Sequence, residues 1–181
     1  MDSVEPLPDA DLRGELRLAM RLMHEWGLLG GARSGNASAR VIEAHDAWLV
    51  TPTRAIKPML RDRDVLAVGP AGGPFVTEDW PLHLALYQAF PDAGAVLHGH
   101  LPHATATLDG MADGAVLWAD SVDDLIALLA DRDAARPTCA MRGHGFWRAA
   151  ASPLDALADL DMVEARARAR WIEAAFSGTR L

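Results

Sequence analysis

Residues 95–100, AVLHGH, are the most informative part of this sequence for both its fold and its chemistry. Its first three residues are apolar and indicate a short β-strand, which ends in two histidines separated by Gly99. Because successive strand side chains point to opposite faces, His98 and His100 are expected on the same side. Two imidazoles held side by side are suitable ligands for a divalent metal.

A third histidine and an acidic pair extend this pattern. His144 lies between two glycines, and Glu78 and Asp79 precede an apolar segment with helical character. Three histidines and a carboxylate predict a catalytic zinc site with one open coordination position. Two structural alternatives stay open: His144 as a turn residue, and Asp79 as the N-cap of the helix.

Composition limits the class of protein. The 181 residues are 50% hydrophobic and carry a net charge of −8, which predicts one globular domain over residues 1–181 and argues against nucleic-acid binding. No apolar run is long enough to cross a membrane, and residues 1–5 are acidic, unlike a signal peptide. Cys139 is the only cysteine, so an intrachain disulfide is impossible and a cytoplasmic location is expected.

Helix and strand signals alternate along the chain and predict helices packed around a mostly antiparallel or mixed sheet in three layers. Helices are predicted at residues 11–29, 81–90, from 103, at 121–129 and at 152–178. Strands are predicted at residues 38–42, 47–50, 65–68, 95–100, 116–118 and 138–141, the first two joined by a polar turn at 45–46 and the last taken as the final strand.

Several motifs together resemble the class II aldolase/adducin family, which includes L-fuculose-phosphate aldolase and L-ribulose-5-phosphate 4-epimerase. They are LHLALYQAFPD (82–92), HGHLPHAT (98–105), GNASAR (35–40), VTPT (50–53) and GHG (143–145), in the family's order. The resemblance implies a three-layer α/β/α sandwich with a mostly antiparallel central sheet, commonly a homotetramer with active sites between subunits. It also implies that His98, His100 and His144 bind Zn²⁺, with Mn²⁺, Co²⁺ or Fe²⁺ as alternatives.

The resemblance also suggests catalytic acids. The family's acidic residue falls on Asp79, four positions before His83, which matches a family histidine. This position is a general acid/base Glu in the aldolases and an Asp in the epimerases. Asp120 is a candidate for a further epimerase acid, or else a plain loop or cap residue. The epimerases' catalytic tyrosine has no counterpart, because Tyr87, the only tyrosine, lies inside a predicted helix.

The substrate-binding residues that the resemblance implies are altered. The family grips phosphate with three residue pairs, which here become Gly35-Asn36, Thr53-Arg54 and Thr77-Glu78. Arg54 replaces a glycine and Glu78 replaces a serine. A carboxylate about 4 Å from a phosphate costs about 1 kcal/mol even in water, which Arg54 can offset. Arg54 can alternatively pair with Glu78 or be a solvated surface charge. It therefore stays open whether the substrate carries a phosphate, a different anionic group or none.

The favoured function is a metal-dependent aldolase that cleaves or forms a C–C bond in a small polyhydroxy carbonyl compound through a metal-stabilised enediolate. Sugar-phosphate 4-epimerisation, dehydration and decarboxylation are alternatives, an iron oxygenase is a remote one, and a non-catalytic adducin-like binding module is an alternative of another class. A Schiff-base aldolase would have to use Lys57, the only lysine. Nothing in the sequence indicates that Lys57 is buried, which favours the metal route.

Overall fold

The computed structural model describes residues 9–41, 46–107, 116–130 and 137–177. Five α-helices are described: α1 (Asp9–Glu25), α2 (Trp80–Ala89), α3 (Pro102–Ala106), α4 (Val122–Ala130) and α5 (Pro153–Ser177). Seven strands are described: β1 (Asn36–Arg40), β2 (Trp48–Val50), β3 (Leu66–Val68), β4 (Ala95–Gly99), β5 (Val116–Ala119), β6 (Thr138–Met141) and β7 (Gly145–Ala150). Short 3₁₀ turns at Lys57–Met59 and Asp62–Asp64 lead into β3.

The strands form one sheet in the order β3-β2-β1-β4-β7-β6-β5. All neighbouring pairs are antiparallel except β5 and β6, which are parallel and joined through α4. Helices α1, α3 and α5 share one buried apolar cluster with one face of the sheet, while α2 and α4 share a second cluster with the other face. The predicted three-layer sandwich with a mostly antiparallel sheet is therefore confirmed.

The first helix ends earlier than predicted. The sequence predicted a helix to residue 29, ended by Gly30 and Gly31, but α1 ends at Glu25 because Gly27 adopts a left-handed conformation with φ +76°. The Leu28 amide donates to the Met23 carbonyl (2.8 Å) and the Gly27 amide to the His24 carbonyl (3.1 Å). These two bonds form a Schellman motif at Gly27, upstream of the predicted glycine pair.

Strand β7 was not predicted, and placing the final strand at residues 138–141 was wrong. Its sequence, GFWRAA, lacks the alternation of a half-exposed strand because β7 lies between β4 and β6 and is buried at five of six positions. The predicted strand end at Ile42, the turn residue His45 and the helix end at Gly178 lie outside the described residues. In the ranges that the structure describes, no helix has the length and apolar composition needed to cross a membrane.

Candidate metal centre

The candidate metal centre lies where the central strand β4 ends. His98 is opposite Asn36 on β1 and opposite Trp147 on β7, so these three side chains form one row across the sheet. The His98 and Trp147 rings stack with centroids 4.2 Å apart and an interplanar angle of 13°. Strand pairing on both sides therefore fixes the position and the orientation of the His98 ring.

The three predicted histidines meet at this point. Nitrogen atoms of His98, His100 and His144 all lie within 4.8 Å of one another, and the Nε2 atoms of His98 and His100 are 3.1 Å apart. His144 arrives from the turn between β6 and β7, where a Cβ atom on Gly145 would lie 2.6 Å from Cε1 of His98. The glycine after His144 is therefore required for the rings to pack this closely.

His98 and His100 are in the protonation state that a metal requires. The backbone carbonyl of Phe146 lies 3.0 Å from Nδ1 of His98, so Nδ1–H donates to it and Nε2 keeps its lone pair. Burial, followed by the charges of His100 and His144, holds the pKa of His98 well below its usual range. Burial also lowers the pKa of His100. Neutral imidazoles with converging nitrogen atoms fit a divalent metal.

Asp79 lies beside the histidines. Its Oδ1 is 3.5 Å from Nε2 of His144 and its Oδ2 is 3.7 Å from Nε2 of His98. The Asn36 amide donates to Oδ2 of Asp79 (2.7 Å) and to Oγ1 of Thr77 (3.0 Å). Asp79 is the N-cap residue of α2, but its side chain makes no capping hydrogen bond. The carboxylate is therefore directed at the histidines, where it can act as a fourth ligand or move a proton.

A cavity of about 170 Å³ opens beside the three histidines and Asp79. It is lined by five of the six predicted substrate-binding residues: Gly35, Asn36, Thr53, Arg54 and Thr77. The sixth, Glu78, is exposed and is not among the residues that line the cavity. Arg54 is exposed with φ +56°, and among the described ion pairs none joins it to Glu78.

Two further residues proposed or considered for catalysis lie elsewhere. The Asp120 carboxylate is 79% exposed, pairs with Arg142 at 3.0 Å and lines a separate surface pocket. Tyr87 is buried on α2, where its hydroxyl lies 2.9 Å from the Ser38 hydroxyl. Burial raises the pKa of Tyr87 above its usual range. Within one chain, neither residue lines the cavity.

Two basic residues that were not predicted to bind the substrate, Arg33 and Lys57, also line the cavity. Lys57, considered above only as a Schiff-base lysine and without any sign of burial in the sequence, is only 1% exposed, and its ammonium donates to the Pro52 carbonyl (2.7 Å). Burial, with a contribution from Arg33, lowers the pKa of Lys57 to about 8. The one feature of the sequence that could have drawn attention to Lys57 is that it is the only lysine in the chain.

The chain is similar to a known protein family and to several characterised members of it. The family model for the class II aldolase and adducin N-terminal domain matches residues 14–171. L-fuculose phosphate aldolase of Escherichia coli K12 is 32% identical over 80 residues, covering 42% of this chain and 37% of the relative. Methylthioribulose-1-phosphate dehydratase of Methylococcus capsulatus is 37% identical over 93 residues (49% and 44% coverage). A 3-oxo-tetronate 4-phosphate decarboxylase of Cupriavidus necator is 36% identical over 110 residues (57% and 48%).

The matched segments span less than half the length of these curated relatives. Structural similarity extends further. The crystal structure of L-fuculose-1-phosphate aldolase from Thermus thermophilus superimposes with a TM-score of 0.76 and 20% identity, covering 95% of this chain and 98% of that structure. At this level of identity the superposition supports the shared fold.

Proposed function

This chain belongs to the class II aldolase and adducin N-terminal domain family, and from this premise we propose that it is a metal-dependent lyase that breaks or forms a C–C bond in a small polyhydroxy carbonyl compound. The observation that carries the proposal is the convergence of three histidine nitrogens beside the Asp79 carboxylate, in a cavity large enough for a small substrate. The relatives named above are an aldolase, a dehydratase and a decarboxylase.

His98, His100 and His144 would hold the metal, with Zn²⁺ first and Mn²⁺, Co²⁺ or Fe²⁺ as alternatives. When bound, a divalent metal supplies Lewis-acid stabilisation of the negative charge that develops on substrate oxygens. Phe146, through its carbonyl, keeps His98 in the tautomer that leaves Nε2 free. Trp147 covers one face of the His98 ring, which keeps the ring from rotating.

Asp79 is the proposed acid/base of the reaction, or the fourth ligand. The Asn36 amide orients its Oδ2, and the Thr77 hydroxyl accepts the Asp79 backbone amide (3.2 Å). Its carboxylate is thus held 3.5–3.7 Å from two histidine nitrogens, too far for a direct hydrogen bond but within reach of a substrate atom bound between them. Asp79 can then take a proton from the substrate and return it.

The alternatives differ in how the structure supports them. Dehydration and decarboxylation need the same site and are the reactions named for two relatives. Epimerisation lacks support from Tyr87, which is buried away from the cavity. A catalytic role for Asp120 stays a prediction. Within a single chain, the Asp120 carboxylate lies away from the site. A non-catalytic binding module would have no use for the intact histidine set, so the enzyme is favoured.

The test is turnover of the zinc-loaded protein on L-fuculose 1-phosphate, methylthioribulose 1-phosphate and 3-oxo-tetronate 4-phosphate, followed by product analysis. We expect carbonyl fragments from C–C cleavage, and a loss of at least about 10²-fold in kcat for Asp79→Asn. Asp123→Asn, an exposed acid on α4, is the matched control and should retain activity. Water loss without C–C cleavage would instead assign a dehydratase, and equal activity of Asp79→Asn would contradict the role of Asp79.

A further inference from the structure

Polar side chains recur every second position on β1 and every fourth position from the N-cap of α2. They meet in three pairs, which we call the polar ladder: Asn36 with Asp79, Ser38 with His83, and Arg40 with Tyr87. Two strand residues advance about 6.6 Å and four helical residues advance about 6.0 Å, so the two series stay in step along the ladder. The ladder therefore fixes where α2 lies along β1.

The middle pair of the ladder is fully buried. Ser38 and His83 are both 0% exposed, and Tyr87 is 3% exposed. The Oγ atom of Ser38 lies 2.7 Å from Nδ1 of His83 and 2.9 Å from the hydroxyl of Tyr87. One serine on the strand thus joins two residues that are one turn apart on the helix, at a depth where water does not replace a lost hydrogen bond.

The direction of these hydrogen bonds follows from the number of groups that each direction satisfies. If Tyr87 donates to Ser38 and Ser38 donates to Nδ1 of His83, Nε2–H of His83 is the one donor of the three side chains left without a partner. The opposite direction leaves two groups unpaired within the described residues, the hydroxyl hydrogen of Tyr87 and the Nε2 lone pair of His83. Burial lowers the pKa of His83 to about 3, so the ring is neutral. Ser38 therefore keeps His83 in the Nε2–H tautomer.

Asp79 is at the end of the ladder that lies nearest the metal centre. Its partner Asn36 is opposite His98 in the sheet. The Asp79 side chain makes no capping hydrogen bond, so the start of α2 does not by itself hold the carboxylate in place. Sliding α2 by one residue would move Asp79 by about 1.5 Å along the helix axis and by about 100° around it. The buried contacts of Ser38 oppose such a shift.

We propose that Ser38, His83 and Tyr87 are positioning residues, which keep α2 in register with β1 and so hold the Asp79 carboxylate beside the three histidines. None of these three residues is among those that line the cavity, so they act through Asp79 and not on the substrate. The inference rests on the proposed function, in which Asp79 is the acid/base or the fourth ligand.

The first test is nuclear magnetic resonance of the metal-free full chain labelled with ¹⁵N. Long-range ¹H–¹⁵N spectra of the histidine rings show which nitrogen carries the proton. We expect the Nε2–H tautomer of His83 in wild type and the loss of this preference in Ser38→Ala. The control is Thr107→Val, which removes another buried hydroxyl, one that donates to the His103 carbonyl, and it should leave the tautomer of His83 unchanged.

The same samples report how firmly Asp79 is held. The side-chain amide of Asn36 donates to Asp79, so its hydrogen exchange measures the opening of that contact. Relative to the backbone amide of Leu97 in β4, exchange should be at least about 10-fold faster in Ser38→Ala than in wild type. It should change less than about twofold in Thr107→Val.

Turnover of the zinc-loaded protein tests whether the positioning residues act through Asp79. Ser38→Ala should lower kcat about 10-fold and change KM less than about threefold. Added to Asp79→Asn, it should cost less than about a further twofold, because the group that it positions is already lost. His83→Asn keeps an acceptor for the Ser38 hydroxyl and should retain more of kcat than His83→Leu.

Three results would each overturn the proposal: an Nδ1–H tautomer of His83 in wild type, unchanged Asn36 exchange in Ser38→Ala, or a full additional loss of kcat when Ser38→Ala is combined with Asp79→Asn. If Ser38→Ala does not fold, Tyr87→Phe removes the hydroxyl at the start of the hydrogen-bond chain and takes its place in both metal-free measurements. These measurements need neither zinc nor turnover. A wild type that converts no substrate would therefore contradict the proposed function and leave the spectra to decide the positioning role.

Discussion

The His98 side chain is held by the sheet in the orientation that metal binding needs. Its ring is stacked on Trp147, its Nδ1–H is bonded to the Phe146 carbonyl, and it is 1% exposed. These contacts fix the rotamer and the tautomer before any ligand arrives, so little conformational entropy is lost on metal binding. The ring is preorganised by β7, the strand that the sequence did not reveal.

The buried Lys57 predicts how the free energy of unfolding depends on pH. Its pKa is about 8 in the folded chain against 10.5 for an exposed lysine, so the unfolded chain binds more protons between these values. Folding stability should therefore rise as pH rises through this window. Relative to Lys57→Met, wild type should gain about 2 kcal/mol in the free energy of unfolding between pH 7 and pH 9.5.

Denaturant unfolding of both proteins in phosphate-free buffer measures this difference. Tyr87 and the other titrating groups are common to both chains and cancel in the comparison. A difference that stays constant from pH 7 to pH 9.5 would show that the Lys57 ammonium is solvated.

Individual residues were predictable to different degrees. The His-x-His spacing was sufficient to place His98 and His100 together, because strand alternation is a local rule. The burial of Lys57 was not predictable, since it depends on the contact between the 32–36 and 51–57 segments, which are distant along the chain. The direction of the Asp79 side chain was equally undetermined, because an N-cap role and a role at the metal use the same position.

Glu164, a buried acid on α5, binds the start of α3. Its Oε1 accepts the backbone amide of His103 (3.0 Å) and the ring Nδ1–H (2.6 Å), and its Oε2 accepts the Ala104 amide (3.0 Å). These bonds satisfy the free amides at the start of a five-residue helix that follows directly after β4.

We expect Glu164→Ala to lower the free energy of unfolding by about 2–4 kcal/mol, because three hydrogen bonds to a buried carboxylate are lost. Thermal or denaturant unfolding measures the loss. Glu173→Ala, an exposed acid on the same helix, is the matched control. A change below about 0.5 kcal/mol in Glu164→Ala would contradict the linking role.

Strand β7 explains why the sheet was only partly predictable. An edge or half-exposed strand alternates apolar and polar residues, but a central strand with both faces covered has no such pattern. Its alanines are also unfavourable for a strand prediction. Its position next to β4 nonetheless shapes the site, because Trp147 stacks on the His98 ring and a Cβ on Gly145 would lie 2.6 Å from Cε1 of that ring.

Gly145→Ala should therefore weaken zinc binding. The new Cβ would lie 2.6 Å from Cε1 of His98 and 2.8 Å from Cδ2 of His100, so both rings must move. We expect affinity to fall about 10- to 100-fold, in line with changes to groups that position ligands. Competition with a chromogenic chelator measures the constant, with Gly73→Ala, where a Cβ meets open space, as the control. Unchanged affinity would contradict the packing argument.

The assembly of the chain is predicted from the resemblance to a family whose members are commonly homotetramers. Several large apolar side chains are exposed in the single chain, including Met59 (72%), Phe75 (71%) and Phe176 (90%). Burial of such residues is a common driving force for association. Light scattering coupled to size exclusion should give four chains of 19.4 kDa, about 78 kDa. A monomer with full zinc content and turnover would contradict a shared active site.

The metal content of the purified protein, determined by mass spectrometry, is the decisive test of the proposed metal centre. We expect about one divalent metal ion per chain in wild type and in His24→Ala, which changes an exposed histidine on α1. The His98→Ala, His100→Ala double variant should lose the ion and keep the folded structure. A wild-type protein that holds no metal after reconstitution with zinc, manganese, cobalt or iron, or a double variant that holds as much as wild type, would contradict the proposed metal centre.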